Sequence, residues 1–208
     1  IDLYGKKSLP ELLKKLCSIV KLKWIRVHYC YPEEITQELI ETFRDEDKII
    51  KYMDIPIQHC NDRILKRMNR KTTGDEIRAL IGHLREEIPN IAIRTSLIVG
   101  FPGETEEEFN ELCDFVREIK FDRLGVFAYS AEEGTPAAKM DGQIPEEVKE
   151  ERCAKIMEIQ KEVAEELGKK RIGQVLSVIT EGFDEDSFLY YGRSYADSPD
   201  VDAKVYFG

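Results

Sequence analysis

Hydrophobic residues recur along this chain with two different spacings, one typical of β-strands and one typical of α-helices. Four short apolar runs, at residues 24–31, 52–58, 91–99 and 123–129, are continuous or alternate in steps of two, which predicts β-strands. Ser8 and Asn61 directly precede the segments 9–19 and 62–69, which have helical spacing, and both are candidate N-caps. Because strands that alternate with helices pair in parallel, the pattern predicts an α/β fold with a parallel sheet. Apolar residues with helical spacing predict helices over residues 9–19, 36–43, 62–69, 73–87, 106–119 and 146–167.

The ends of these strands favour a barrel over an open dinucleotide-binding sheet. No Gly-x-Gly-x-x-Gly follows any of the predicted strands. Polar side chains cluster instead at the carboxyl ends of the strands, where barrels place their sites. We therefore expect residues 1–170 to form a partial TIM-like (β/α) barrel that is truncated at its N-terminus.

Residues 94–105, Arg-Thr-Ser-Leu-Ile-Val-Gly-Phe-Pro-Gly-Glu-Thr, predict a strand, a glycine turn and the start of a helix. Gly100 and Gly103 let the backbone turn sharply or approach a ligand closely. Thr105 is a good N-cap, and Glu108 stands three residues later as its capping-box partner. The turn indicates a ligand site at this end of the strand, and a plain βα loop is the alternative.

Polar groups stand within or after each predicted strand. Arg94 and Ser96 lie inside the third strand, where a buried arginine needs an anionic or carbonyl partner. No Ser-His-Asp or Cys-His arrangement can be assembled from the spacing. Histidine can act as acid, base or ligand, although a hydrogen-bonded scaffold role is the alternative for each strand-end histidine. The candidates are Arg26, His28, Tyr31, Asp54, Gln58, His59, Arg94, Ser96, Glu104, Tyr129 and Ser130.

Composition and charge limit the cellular setting and the classes of partner that we expect. The chain has 208 residues, 42% hydrophobic and 35% charged, and no apolar run approaches the roughly 20 residues needed to cross a bilayer. The net charge of −10 argues against broad nucleic-acid binding and favours a small molecule or a basic protein as partner. Its five cysteines contain no Cys-x-x-Cys, so we expect no local metal motif and a reduced, cytoplasmic setting without a membrane.

The composition changes after Gly168. Alternation over residues 174–180 and aromatic runs at 188–191 and 201–207 predict short strands of a small β-barrel. From Gln174 to the end, seven acidic and two basic residues leave a charge of −5. An oligonucleotide-binding barrel is expected to carry the opposite sign.

Several motifs together resemble the radical S-adenosylmethionine methylthiotransferases, over essentially the whole chain. They are Asp-Ile-Pro-Ile-Gln-His at 54–59 with Ile-Leu-Lys-Arg-Met at 64–68, the stretch 94–105, and residues 127–133 with Gly-Thr-Pro at 134–136. The tail is similar to the TRAM domain of that family. Its residues 192–202 resemble the RimO-like branch, which modifies a ribosomal protein; the tRNA-modifying, MiaB-like branch usually has a more basic TRAM domain.

The resemblance implies a radical SAM partial barrel over residues 1–170 and an incomplete TRAM-like β domain over 171–208. It implies a 4Fe–4S cluster that cleaves S-adenosylmethionine, a radical that abstracts hydrogen from an unactivated carbon, and a second cluster that delivers sulfur. In the RimO-like branch the product is a methylthio group on the β-carbon of an aspartate in the twelfth small-subunit ribosomal protein. A radical is needed because no side-chain base removes a proton from such a carbon near neutral pH.

The resemblance also implies a cofactor pocket and a partner. The segment 100–104 matches the family's glycine turn near the cofactor, Arg94 and Ser96 would meet its methionine moiety, and residues 127–129 would line its adenine. A monomer whose acidic TRAM region meets a basic ribosomal protein is expected, with tRNA the less favoured substrate. The expected cofactor-binding residues are Gln58, His59, Arg94, Ser96, Gly100, Gly103, Glu104, Phe127 and Tyr129.

The chain departs from the family pattern in its cysteines. The Cys-x-x-x-Cys-x-x-Cys motif of the first cluster and the cysteines of the second are absent, and the chain opens on Ile1 rather than methionine. We therefore expect a fragment that by itself holds no cluster and catalyses nothing. A MiaB-like enzyme and a cluster-free binding module are the alternatives.

Overall fold

A four-stranded parallel sheet organises the computed structural model, which describes residues 5–208. Strands β1 (Ile25–Val27), β2 (Ile49–Asp54), β3 (Ala92–Val99) and β4 (Arg123–Ala128) lie side by side in chain order. The helices are α1 (Leu9–Cys17), α2 (Gln37–Asp45), α3 (Asp62–Arg67), α4 (Gly74–Glu87), α5 (Glu106–Ile119) and α6 (Glu146–Lys170). This arrangement confirms the predicted partial barrel, since helical chain follows each strand and the strands pair in parallel.

Alternation along β3 separates the two faces of the sheet. Ile93, Leu97 and Val99 are fully buried in the core that the helices cover. Burial of each such side chain contributes about 1.5–3 kcal/mol relative to exposure. The intervening positions, Arg94 and Ser96 among them, are half-buried on the inner face. The period of two in the sequence thus places the polar groups of this strand inside the partial barrel.

Two helix starts form as predicted. The Thr105 side chain accepts from the Glu108 amide, and the Glu108 side chain accepts from the Thr105 amide, which is the predicted capping box. The Asn61 side chain accepts from two backbone amides at the start of α3. Ser8 makes no such bond before α1, so its predicted capping role is wrong. Side-chain oxygens therefore satisfy free amides at the α3 and α5 starts.

The first two strands differ from their predicted bounds. Strand β1 ends earlier than expected, because Tyr29 adopts a positive φ of 57° that no extended strand accommodates. Strand β2 begins earlier, at the fully buried Ile49, and ends at Asp54 before Pro56, which has no amide to donate. Gln58 still pairs with β3 as an isolated bridge, so the chain beyond Pro56 stays against the sheet.

The tail forms an antiparallel sheet of β5 (Ile179–Asp184), β6 (Leu189–Arg193) and β7 (Val205–Phe207). The strand predicted over 174–180 is wrong in its bounds, since Val175 is 98% exposed and has no sheet partner among the described residues. The observed strand begins at Ile179, and Gly182 within it lies against the ring of Tyr191. The strand predicted over 201–207 is shorter, because it begins at Val205.

The segment 194–202 packs on the inner face of the parallel sheet. Ala196 is buried in a cluster with residues of β2 and β3, among them Tyr52. Asp197 is buried too, and its carboxylate lies 2.5 Å from Nη2 of Arg123. Part of the acidic charge of the tail is therefore neutralised inside the molecule.

The connection between barrel and tail is short. Helix α6 ends at Lys170 and β5 begins at Ile179. The predicted division of the chain after residue 170 stays a prediction. Among the helices described in residues 5–208, none combines the length and the apolar character that a bilayer span requires.

Candidate functional site

A cavity of about 1040 Å³ opens at the carboxyl edge of the parallel sheet. Residues that follow or end the strands contribute to its wall, including Tyr31 after β1, Gln58 after β2 and Tyr129 after β4. A smaller depression of about 360 Å³ lies at the opposite edge, beside Asn90 and Asp122. The larger cavity occupies the position where parallel α/β folds bind ligands, and its volume suits a cofactor-sized molecule.

The nine predicted cofactor-binding residues fall into two groups. The first group can contact a ligand in the cavity, whereas the second lies behind the wall and shapes the backbone and the packing there. The cavity wall includes Gln58, Arg94, Ser96, Phe127 and Tyr129. In and beside the glycine turn lie His59, Gly100, Gly103 and Glu104.

Two strand-end candidates serve contacts outside the cavity wall. Nη2 of Arg26 donates to the Asp197 carbonyl at 2.7 Å, and its guanidinium lies 4.2 Å from the centroid of the Tyr52 ring. Nδ1 of His28 lies 3.9 Å from Oδ2 of Asp54. Arg26 therefore joins the first strand to the tail rather than meeting a ligand.

Arg94 finds the anionic partner that its burial requires. Its Nη1 donates to Oδ1 of Asp54 at 2.8 Å and to Oγ of Ser96 at 3.3 Å. Its Nε lies 4.0 Å from Oδ1 of Asp202, a residue of the tail. Burial is the largest single effect on the pKa of Arg94 and lowers it, but the hydrogen bond to Asp54 and the charges of Asp54 and Asp202 together outweigh burial, and the net shift is upward. The charge of Arg94 is thus balanced by carboxylates inside the protein.

Tyr129 lines the cavity and carries a buried hydroxyl that is unsatisfied. The residue is 8% exposed, and its Oη has no hydrogen-bond partner within the described residues. Its ring packs edge-on against Phe101, with 5.1 Å between the centroids. Its carbonyl accepts from Nζ of Lys149 at 2.9 Å. Since a buried hydroxyl without a partner is unfavourable, this group is suited to meeting a polar atom of a ligand.

Helix α6 fixes the glycine turn. Gly100 has a φ of +71°, and a Cβ built there would lie 2.4 Å from Cγ of Lys149. The Glu104 carboxylate accepts from the Gly100 amide at 2.9 Å and from Nη1 of Arg152 at 2.7 Å. Gly103 also has a positive φ, of +77°. Only glycine meets both the conformational and the steric demand at position 100.

His59 is buried behind the turn and does not reach the cavity. Its Nδ1 accepts from the Asn61 amide at 3.0 Å, so the proton of the neutral ring resides on Nε2. That Nε2 lies 3.7 Å from Oε2 of Glu104 and has no hydrogen-bond partner in the described chain. Burial lowers the pKa of His59 to about 4. Burial also raises the pKa of Glu104 to about 7, against the opposing effect of Arg152.

Sequence reasoning missed several residues that build the site. Arg152 bonds the glycine turn from α6 and Lys149 packs against Gly100, although the sequence predicts only a helix there. Arg67 and Arg70 line the cavity, although neither is among the candidates from the sequence. Both arginines stand near the end of a short helix that follows a strand, and this position could have identified them as candidate cavity residues.

No metal site is formed by the described chain. Residues 5–208 contain no group of three or more His, Cys, Asp or Glu side chains placed to hold a metal ion. The five cysteines are all free thiols, and four of them are buried. These residues therefore do not fit the ligand set of an iron–sulfur cluster.

Sequence comparison matches two families along the chain. The radical SAM superfamily matches residues 3–116, and the TRAM domain matches residues 172–208. The chain is 54% identical over 207 residues to "Ribosomal protein uS12 methylthiotransferase RimO" of Clostridium botulinum (strain Okra / Type B1). It is 55% identical over 207 residues to the protein of the same name from Clostridium acetobutylicum. Each alignment covers 100% of this chain and 46% of the relative, so the chain spans about half their length.

Solved structures resemble the fold. Coproporphyrinogen III oxidase (HemN) from Escherichia coli, described as a radical SAM enzyme, aligns with a TM-score of 0.55 at 24% identity, over 79% of this chain and 37% of that one. Archaeal Elp3 from Methanocaldococcus infernus aligns with a TM-score of 0.50 at 11% identity, over 81% of this chain and 52% of that one. At these identities the likeness concerns the fold alone.

Proposed function

Because this chain belongs to the radical SAM superfamily, we propose that it is part of a methylthiotransferase that modifies the β-carbon of an aspartate in ribosomal protein uS12. One observation carries this proposal: identity of 54% extends over 207 residues to a relative named as a methylthiotransferase of ribosomal protein uS12. The aligned region includes both the partial barrel and the tail. The whole protein's substrate is inferred from those relatives.

We infer that the cavity binds S-adenosylmethionine. Phe127 is 56% exposed at the cavity and offers an aromatic surface, while Ser96 and Gln58 offer polar groups. The unpaired Oη of Tyr129 suits a polar atom of the ligand. When bound, this cofactor supplies radical chemistry for carbons that side-chain bases cannot deprotonate. The residues of this chain bind and orient the ligand and exclude water.

No step is assigned to an iron–sulfur cluster in this chain. The described residues lack a suitable ligand set, so the cluster ligands of the complete enzyme would lie outside residues 5–208. What this chain contributes is the wall of the cavity and the rigid turn behind it. From α6, Arg152 holds that turn through a hydrogen bond to Glu104, and Lys149 packs against Gly100 while donating to the Tyr129 carbonyl.

The charge of the tail supports a basic protein partner. The hairpin between β5 and β6 carries Asp184, Glu185 and Asp186, of which the last two are exposed. Exposed carboxylates attract a basic ribosomal protein and speed its encounter. We propose that the protein acts in the cytoplasm as a monomer and that a ribosomal protein, rather than tRNA, is the favoured substrate.

The test is to incubate the full-length, iron-reconstituted protein with S-adenosylmethionine, a sulfur source, a reductant and purified uS12. Mass spectrometry should find one methylthio group on uS12. A parallel reaction with tRNA should give no methylthioadenosine. Modification of tRNA alone would favour the tRNA-modifying branch, and absence of both products would favour a binding module.

A further inference from the structure

We propose that Arg70 binds the side-chain carboxylate of the target aspartate. This inference rests on the proposed function and adds a substrate-recognition residue to it. Arg70 lines the cavity, and it forms no ion pair with any carboxylate in residues 5–208. An unpaired guanidinium at a ligand cavity of a chain with net charge −10 points to an anionic group of the ligand.

The backbone places Arg70 at the cavity. Helix α3 ends at Arg67, and Asn69 adopts a positive φ of 59° just beyond it. The Arg70 amide then donates back to the Leu65 carbonyl at 2.8 Å. This turn reverses the chain and directs residue 70 toward the ends of β1 and β2.

The Arg70 side chain keeps most of its donors free. Its guanidinium lies 5.4 Å from the centroid of the Tyr31 ring, a cation–π contact that positions the charge. Its Nη2 donates to the Pro56 carbonyl at the long distance of 3.5 Å. Within the described residues, its other side-chain nitrogens have no hydrogen-bond partner. Those nitrogens can donate to both oxygens of a carboxylate.

The other arginines of the cavity wall are already engaged. Arg94 pairs with Asp54, with 2.8 Å between Nη1 and Oδ1. Nε of Arg67 donates to the Pro102 carbonyl at 3.2 Å and so supports the glycine turn. Neither side chain is as free as Arg70 to turn its donors toward a ligand.

The glutamates of the cavity wall leave Arg70 unpaired. Glu33 and Glu132 both line the cavity, but neither forms an ion pair with Arg70 in the described chain. Oε1 of Glu132 accepts from Oγ of Ser130 at 3.2 Å instead. Arg70 is therefore the cation best placed to receive a ligand carboxylate.

The chemistry of the target explains why this contact matters. The reacting β-carbon of an aspartate is bonded directly to its carboxylate carbon. A two-oxygen contact with a guanidinium fixes the carboxylate plane, and with it the position of the β-carbon. An asparagine at the same place offers only one acceptor and no charge. Arg70 should therefore make the site select aspartate over asparagine.

The experiment measures the affinity of the full-length protein for uS12 and for uS12 whose target aspartate is replaced by asparagine. The enzyme variants are Arg70→Gln, Arg70→Lys and the control Lys71→Gln, which removes an adjacent, exposed charge. The unsubstituted protein and Lys71→Gln should prefer aspartate by roughly tenfold or more. The preference should fall close to one in Arg70→Gln and be intermediate in Arg70→Lys, which keeps charge but loses the two-oxygen contact.

Affinity for S-adenosylmethionine is measured in the same variants, because the cofactor also carries a carboxylate. Unchanged cofactor affinity together with a lost aspartate preference supports the proposal. Lost cofactor affinity with a retained aspartate preference overturns it and assigns Arg70 to the cofactor. The proposal is also overturned if Arg70→Gln prefers aspartate as strongly as the unsubstituted protein does. In that case, methylthiolation of uS12 by the unsubstituted protein would show that the proposed function itself still stands.

Discussion

Oη of Tyr52 donates a 2.8 Å hydrogen bond to Oδ2 of Asp202, which lies 150 residues later in the chain. Tyr52 is fully buried on β2, and Asp202 belongs to the tail. The same carboxylate faces Nε of Arg94 at 4.0 Å. This contact joins the tail to the inner face of the barrel, directly beside an arginine of the cavity wall.

Replacing Asp202 should loosen the tail. Asp202→Asn removes a buried charge that faces Arg94 and weakens the acceptors for Tyr52 and the Ser198 amide. We expect the docking of residues 194–202 to lose about 1–3 kcal/mol. Hydrogen exchange of the buried Ala196 amide measures this loss.

Asp200→Asn is the matched control. Asp200 is exposed and has a positive φ of 60°, a conformation that asparagine also tolerates. Hydrogen exchange of the Ala196 amide in this variant should match that in the unsubstituted chain. Equal exchange in the two variants would show that the buried carboxylate does not hold the tail.

Replacing Gly100 should destabilise the turn. In Gly100→Ala, the new Cβ would lie 2.4 Å from Cγ of Lys149, in a backbone with a φ of +71°. We expect a loss of at least about 2 kcal/mol in the free energy of unfolding, measured by chemical denaturation. Gly82→Ala, in the middle of α4 with nothing within 4 Å of the new Cβ, should instead stabilise by up to about 1 kcal/mol. Similar effects at the two positions would refute the steric argument.

Acid should destabilise the chain through His59. Its folded pKa of about 4 lies below the ordinary value of 6.5, so the unfolded state binds more protons between these values. The stability contributed by the neutral ring is present above pH 6.5 and is lost as the pH falls toward 4, by up to about 3 kcal/mol.

The difference between the unsubstituted chain and His59→Gln isolates this effect. Glu104, whose pKa is raised to about 7, has the opposite pH dependence, but it is present in both proteins. The unsubstituted chain should lose more stability than the variant between pH 7 and pH 4. Parallel stability curves would mean that folding does not lower the pKa of His59.

Removing the Tyr129 hydroxyl should raise the stability of the ligand-free chain and lower the affinity for S-adenosylmethionine. Tyr129→Phe deletes a buried Oη that has no partner within the described residues, so the ligand-free chain should gain up to roughly 1 kcal/mol. The affinity of the full-length protein for S-adenosylmethionine should fall by roughly three- to tenfold. Calorimetry measures both effects, and an unchanged affinity would exclude this hydroxyl from the cofactor contact.

The local features of this fold were predictable from short stretches of sequence. The capping box of Thr105 with Glu108 and the N-cap Asn61 depend on residues three positions apart or fewer. The alternation that places Arg94 and Ser96 on one face of β3 is equally local. Each of these depends on backbone geometry that neighbouring residues determine.

Long-range contacts were not predictable in the same way. Asp202 belongs by sequence to an acidic tail, and only the fold brings it to Tyr52. His59 stands beside Gln58 in sequence, yet Gln58 lines the cavity and His59 is buried behind it. The positive φ of 72° at Gln58 turns the chain at this point, which no spacing rule signals.

The most direct test of the central claim follows the hydrogen on the target carbon. Full-length enzyme is given uS12 that carries deuterium at the β-carbon of its aspartates, and the product is analysed by fragment mass spectrometry. The proposed function predicts one methylthio group and the loss of one deuterium at the same aspartate. A methylthio group at another atom, or only on tRNA, would contradict it.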